Sequence, residues 1–319
     1  MILAFTSCID PIRDPVQKGW TEMDRHGPTD LLLLGDNIYM DYGWFGRRRN
    51  ESPRRLALSE FSARMRDAYE RQWQVAAFRR FIDGRTVYTT WDDHDFAWNN
   101  ARGGALPGNE GHVPNAHRDV ARLHFETFRE ALSASPRAQI LPPDPAPGGI
   151  PLRRVAASVA TTIAMGEGVR MHVLDARTFR EQRGGTLLGE TQRLALTAAL
   201  LPSPGINLLA SSSALKEWED HPIDFGWLTQ QARSHRILVL SGNEHKPRFR
   251  HEGRLYEATA SALAQPPGVA ALLRGRKTGV FGLLDIDDDW LTVRLFVAGS
   301  QVDHRRISRA DWSLETLAP

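Results

Sequence analysis

The chain has 319 residues, 41% hydrophobic and 24% charged, an ordinary globular composition with ample material for a core. Its 40 basic and 38 acidic side chains nearly balance, so bulk charge argues for no particular partner. The single cysteine, Cys8, excludes an internal disulfide, and no stretch approaches the roughly 20 apolar residues of a membrane span. The first eight residues are apolar but lack a basic n-region and a full h-region. They read as a first strand rather than a leader, and the cytoplasm is the expected location.

In chain order, residues 2–5 form a short buried-strand pattern. Residues 15–26 predict a helix, with Asp14 as N-cap and Pro15 at its first position. The unbroken run Leu31-Leu32-Leu33-Leu34 reads as a central strand covered on both faces. Residues 53–81 are strongly helical and arginine-rich, which is most simply a solvated basic face. The β-branched run at 86–90 is a strand. Residues 103–114 form a Gly-rich loop, and 116–132 a helix. Residues 136–151 carry six prolines and two glycines and read as an excursion inside one domain rather than a boundary.

The second half alternates again. Residues 152–165 and 169–174 predict a hairpin around Gly166 and Gly168. Helices follow at 189–201 and 223–234, and strands at 207–210 and 237–240. Residues 254–297 are mostly strands, with a helical interruption near 269–273. Alternating helices and strands followed by strands imply an α/β fold of two packed mixed sheets with helices outside.

Several buried-looking strands end in polar groups of one flavour. These are Ser7-Cys8, Gly35-Asp36-Asn37-Ile38-Tyr39, Trp91-Asp92-Asp93-His94-Asp95, Asp175-Ala176-Arg177, and Ser241-Gly242-Asn243-Glu244-His245. Ligands of open α/β sheets gather beyond the carboxyl ends of strands, so these five ends can converge on one point. Three carboxylates within four residues repel one another unless a cation holds them. Asp, Asn and His suit hard or borderline divalent ions, while Cys and Tyr suit iron. A carboxylate placed like Asp36 can bridge two metals that share a hydroxide. An arginine clamp (Arg177) and an acid for the leaving group (His94) would complete a phosphoester-cleaving site. Arg177, Asp95 and Asn99 are read as the substrate-binding residues.

Together with Leu188-Gly189, Gln192 and Trp218-Glu219-Asp220-His221-Pro222, these motifs stand in an order that resembles PhoD-type alkaline phosphatases, of the calcineurin-like metallophosphoesterase superfamily. The resemblance runs from Ile2 to His245. It implies a four-layer αββα sandwich and a binuclear site. Asp36 would bridge the metals, with Cys8 and Tyr39 on an iron-like ion and Asp93, Asn243 and His245 as further ligands. His94 would protonate the leaving group or hold the phosphate. The implied metals are iron plus calcium or another divalent ion such as Mn, Mg or Zn, and the implied substrates are phosphomonoesters and phosphodiesters. Asn243 departs from the family's usual aspartate and brings no charge.

Each residue also has a plainer reading. Cys8 alone is a small buried hydrophobe, Asp36 a turn residue, Tyr39 a core aromatic, and Arg177 half of an ion pair with Asp175. Asp92 and Asp95 are supporting charges, one of them orienting His94. Two rival functions stay open: a nucleic-acid-directed metallohydrolase using the arginine-rich helix, and a non-catalytic binding protein, which Asn243 keeps in play.

Overall fold

The computed structural model describes residues 1–41, 53–154, 156–166, 168–265 and 278–318, so the helical interruption read at 269–273 lies outside the described residues. The chain opens with β1 (Ile2–Thr6), α1 (Gly19–Asp24) and β2 (Asp30–Leu34). Helices α2 (Leu58–Trp73) and α3 (Ala76–Ile82) lead to β3 (Thr86–Thr90), α4 (Asp93–Phe96) and α5 (Asn115–Ser133). The second half runs through β4 (Thr161–Gly166), β5 (Val169–Val173), α6 (Glu190–Ala199), β6 (Ile206–Ser211), α7 (Leu215–Trp218), α8 (Pro222–Ser234) and β7 (Arg236–Ser241). It closes with β8 (Arg248–Glu252), β9 (Leu255–Thr259), β10 (Val280–Ile286), β11 (Trp290–Val297), β12 (Ser300–Ser308) and β13 (Leu314–Thr316).

Among the described residues the strands form two mixed sheets, ordered β13-β12-β11-β10-β1-β2-β3 and β4-β5-β6-β7-β9-β8. The centres are parallel: β1 with β2, β2 with β3, β5 with β6, and β6 with β7. The layers follow from side-chain alternation. Phe5, Leu32 and Leu34 point inward against Met171, Leu208 and Leu240 of the other sheet. Leu31 and Leu33 point outward to a cluster holding Trp20, Phe61, Trp73 and Phe78 of the first helix layer. Leu209, Ile237 and Val239 face the second helix layer at Leu196, Trp218 and Leu228. The result is helix, sheet, sheet, helix. It explains why the run from Leu31 to Leu34 is apolar at every position: both faces are covered.

Three expected elements differ from what is observed. The helix read over 15–26 is confined to Gly19–Asp24. Asp14 caps no helix. Its carboxylate accepts the Gln17 amide at 2.8 Å, and Gln17 adopts a left-handed φ of 48°, which interrupts a right-handed helix. The long helix read over 53–81 is broken at Val75, whose ψ of 112° is extended. The first strand of the hairpin is shorter than 152–165, because Ser158 and Val159 are bound to Asp175 instead of to the ladder.

The proline-rich segment packs back on α2. Ser62 Oγ donates to the Ala146 carbonyl at 2.9 Å, and Trp73 Nε1 to that of Ala138 at 3.2 Å. The basic face of α2 is internally neutralised: Arg64, Arg66 and Arg71 pair with Glu60, Glu70 and Asp67, each one turn away. Among the described residues no helix is long and apolar enough to cross a membrane.

Candidate active site

The carboxyl ends of β1, β2, β3 and β7 meet where the two sheets approach. Gly242 makes the approach possible, since a Cβ there would lie 2.6 Å from Ser7 Oγ and 2.8 Å from the Leu34 carbonyl. Just beyond the strands the backbone turns sharply. Cys8, Asp36 and Asn243 all take left-handed φ values of 58°, 52° and 62°. That conformation disfavours side chains with a Cβ by about 1–2 kcal/mol per residue. Such outliers cluster where side chains must be aimed at a common point.

Asp36 is the hub. Its Oδ2 accepts from Tyr39 OH at 2.9 Å and faces Cys8 Sγ at 3.3 Å, while its Oδ1 accepts the His94 amide at 3.3 Å. Ligand atoms of Asp36, Asp93 and His94 all lie within 4.8 Å of one another, and all three side chains are buried. Burial, then the neighbouring acids, pushes the Asp36 carboxyl and the Tyr39 phenol well up, and burial pushes the Cys8 thiol up. So many acids in one dry pocket ionise together only when positive charge is added. Asp93 Oδ1 and Asp92 Oδ2 are buried without a hydrogen-bond partner. The donor set and these unpartnered oxygens fit a cation-binding centre.

His94 is gripped by Asp41, whose Oδ1 lies 2.7 Å from Nδ1. Burial would lower the imidazole's pKa, but Asp41, Asp36 and Asp93 outweigh it and raise it well above the ordinary value. Asp41 Oδ2 accepts the Asn99 amide at 2.9 Å, which sets Asn99 beside this pair. The Tyr39 ring packs on the imidazole with centroids 4.2 Å apart.

The residue that orients His94 is therefore Asp41, not Asp92 or Asp95. Asp95 also leaves the substrate-binding set. It is fully buried, and its carboxylate accepts from the Asn37 amide and side chain, Tyr69 OH and the Asp92 amide. Burial pushes its pKa to about 7. Its role is to tie the ends of β2 and β3 together.

Arg177 forms no ion pair with Asp175. Its Nε donates to Asp92 Oδ1, and its Nη2 stands 3.8 Å from Asp93 Oδ1. The guanidinium is buried and engaged by these two carboxylates, so it shapes the floor of the site rather than reaching outward. For Asp93, burial would raise the pKa, but Arg177 and His94 outweigh it and hold it down. Asp175 instead gathers Trp91 Nε1, Ser158 Oγ, and the amide and hydroxyl of Thr178. Gln192 clasps the Asp175 backbone at 2.8 Å in both directions.

The Asn243 amide donates to Ser7 Oγ at 3.2 Å, one residue from Cys8, and its Nδ2 donates to Glu217 Oε1 at 2.6 Å. His245 is half-buried in the same turn, its amide on the Asn243 carbonyl, and lies outside the group of three around Asp36. Asp41 and Glu217 are the contributors that the motifs do not single out. Asp41 carries one usable signal, an acid two residues after Tyr39 in the same loop. Glu217 carries none.

A family model described as PhoD-like phosphatase matches residues 3–204. A solved structure described as that of PhoD superposes with a TM-score of 0.69 at 16% identity, covering 100% of this chain and 71% of that one. Purple acid phosphatase PPD1 from yellow lupin (Lupinus luteus) seeds superposes with a TM-score of 0.51 at 10% identity, covering 97% of this chain and 54% of that one. At such identities these likenesses show a common fold. No curated protein sequence matches the chain.

Proposed function

The chain belongs to the PhoD-like phosphatase family, hydrolases of phosphoester bonds, and from that premise we propose that it cleaves phosphomonoesters or phosphodiesters at a two-metal centre built on Asp36. The observation that carries this reading is Asp36 itself, touched on one oxygen by both Cys8 Sγ and Tyr39 OH, with Asp93 and His94 close by. Cys8 and Tyr39 would hold an iron-like ion together with Asp36, and Asp93, Asn243 and His245 would hold calcium or another divalent ion. Ions bound there would supply positive charge against the phosphoryl oxygens and make water acidic enough to attack near neutral pH.

The remaining work falls to the chain's own side chains. Asp41 engages Nδ1 of His94, so the proton passed to the leaving-group oxygen is carried on Nε2. Arg177 fixes Asp92 and Asp93 in place and favours the charged form of Asp93, which keeps Asp93 shaped as a ligand. Asn99, beside Asp41, lies at the edge of the site where a substrate oxygen would be met. No covalent intermediate on the protein is required. The paired charges of α2 weigh against a nucleic-acid substrate.

Turnover of p-nitrophenyl phosphate and bis-p-nitrophenyl phosphate by wild type and Asp36→Ala tests the reading. Loss of both activities in the variant is expected; equal turnover in the two proteins would refute the mechanism.

A further inference from the structure

Glu217 lies in α7, outside every motif used above. Its Oε1 accepts from Asn243 Nδ2 at 2.6 Å, and its Oε2 accepts from Arg180 Nη2 at 3.0 Å and Ser213 Oγ at 3.1 Å. Three segments beyond different strands thus meet on one carboxylate: Arg180 after β5, Ser213 after β6 and Asn243 after β7. A carboxylate only accepts, so it can hold an asparagine by the NH2 side alone. The carbonyl oxygen of that amide is then directed away from Glu217. The backbone of Asn243 is fixed as well, by its left-handed φ and its bond to Ser7 beside Cys8. The charge of Glu217 also acts on Asp92 and Arg177, at the floor of the site.

We propose that Glu217 is the positioning residue for Asn243: it fixes the amide so that Oδ1 is the atom offered to a cation, and it supplies beside that ligand the negative charge an asparagine lacks. This rests on the reading of Asn243 as a ligand. A carboxylate on residue 243 would face the Glu217 carboxylate at hydrogen-bond distance with no donor between them, so an aspartate is disfavoured there. Glutamine at 217 can present either its oxygen or its NH2 to residue 243, so it no longer imposes one orientation on the amide.

The test is a double-substitution cycle read as Mn2+ affinity by calorimetry on metal-stripped protein: wild type, Glu217→Gln, Asn243→Asp and the double variant. Each single change is expected to weaken Mn2+ binding about tenfold, and the double variant to bind about tenfold more tightly than either single one. Additive effects, with Asn243→Asp tightening binding equally whether Glu217 is present or replaced, would overturn the proposal. Thermal midpoints check folding. If Glu217→Gln does not fold, Asn243→Asp alone decides: weaker binding than wild type supports the proposal and tighter binding overturns it. Asp36→Ala separates the two levels. Unchanged Mn2+ affinity in that variant would remove the metal reading and this proposal with it. Lost affinity there together with an additive cycle would remove only the role of Glu217.

Discussion

The carboxylate of Asp41 lies 2.7 Å from Nδ1 of His94, and both side chains are buried beside the Asp36 hub. A carboxylate behind an imidazole fixes its tautomer and stabilises its protonated form. Asp41→Asn keeps the size and removes the charge. It is expected to lower kcat about 10–100-fold with little change in KM. His94→Ala is expected to lower kcat more, by about 10²–10⁴, and mainly for esters with poor leaving groups. A comparison of phenyl and dinitrophenyl phosphate turnover checks this. An equal loss on both substrates would remove His94 from the role of acid.

Gly242 lies where the two sheets touch. Gly242→Ala would drive a methyl group into Ser7 and the Leu34 carbonyl, and neither that carbonyl nor the Ser7 Cβ can retreat without moving a strand end. A stability loss of about 1–3 kcal/mol is expected, together with weaker metal retention, because Ser7 adjoins Cys8 and holds the Asn243 amide. Urea unfolding and metal content after dialysis measure the two effects. An alanine variant that is as stable as wild type and retains metal equally would show that the close approach does not matter.

His124 gives a pH test away from the catalytic centre. It is buried between α2 and α5, with Nε2 2.9 Å from Ser62 Oγ, and burial, partly opposed by Asp144, pushes its pKa down to about 4. Below about pH 6.5 the unfolded chain binds a proton that the folded chain refuses, so this group's contribution to stability is lost as pH falls toward 4. The linkage amounts to about 2 kcal/mol between pH 7.5 and pH 5. His124→Gln removes it. The stability difference between wild type and variant should therefore shrink by about 2 kcal/mol over that interval in urea titrations. Parallel pH curves would contradict the assignment.

Parts of this architecture were legible in the sequence for identifiable reasons. The run from Leu31 to Leu34 announces a strand covered on both faces, and its Gly35-Asp36 end announces a turn carrying an acid. The motifs Ser7-Cys8, Asp36 to Tyr39 and Asp92 to His94 converge because they follow parallel strands. Local spacing could not say which acid meets which partner. Asp92, Asp93 and Asp95 look alike in sequence. The first turn of α4 sends Asp93 toward Asp36, while Asp95 is turned back onto Asn37 and Tyr69 and Asp92 meets Arg177. Asp41 and His94 are 53 positions apart, and Glu217 and Asn243 are 26 apart. Such pairs are made by the packing of strand ends. The break at Val75 has no glycine or proline to announce it.

If Asp36 is the hub of a metal centre, its removal must empty that centre, and elemental analysis of the purified chain, wild type against Asp36→Ala, measures this. About two metal ions per chain in the wild type are expected, one of them iron, with both depleted in a variant whose thermal midpoint shows it folded. Equal metal content in the two proteins, or none in a wild type that still hydrolyses phosphoesters, would remove Asp36 from that role.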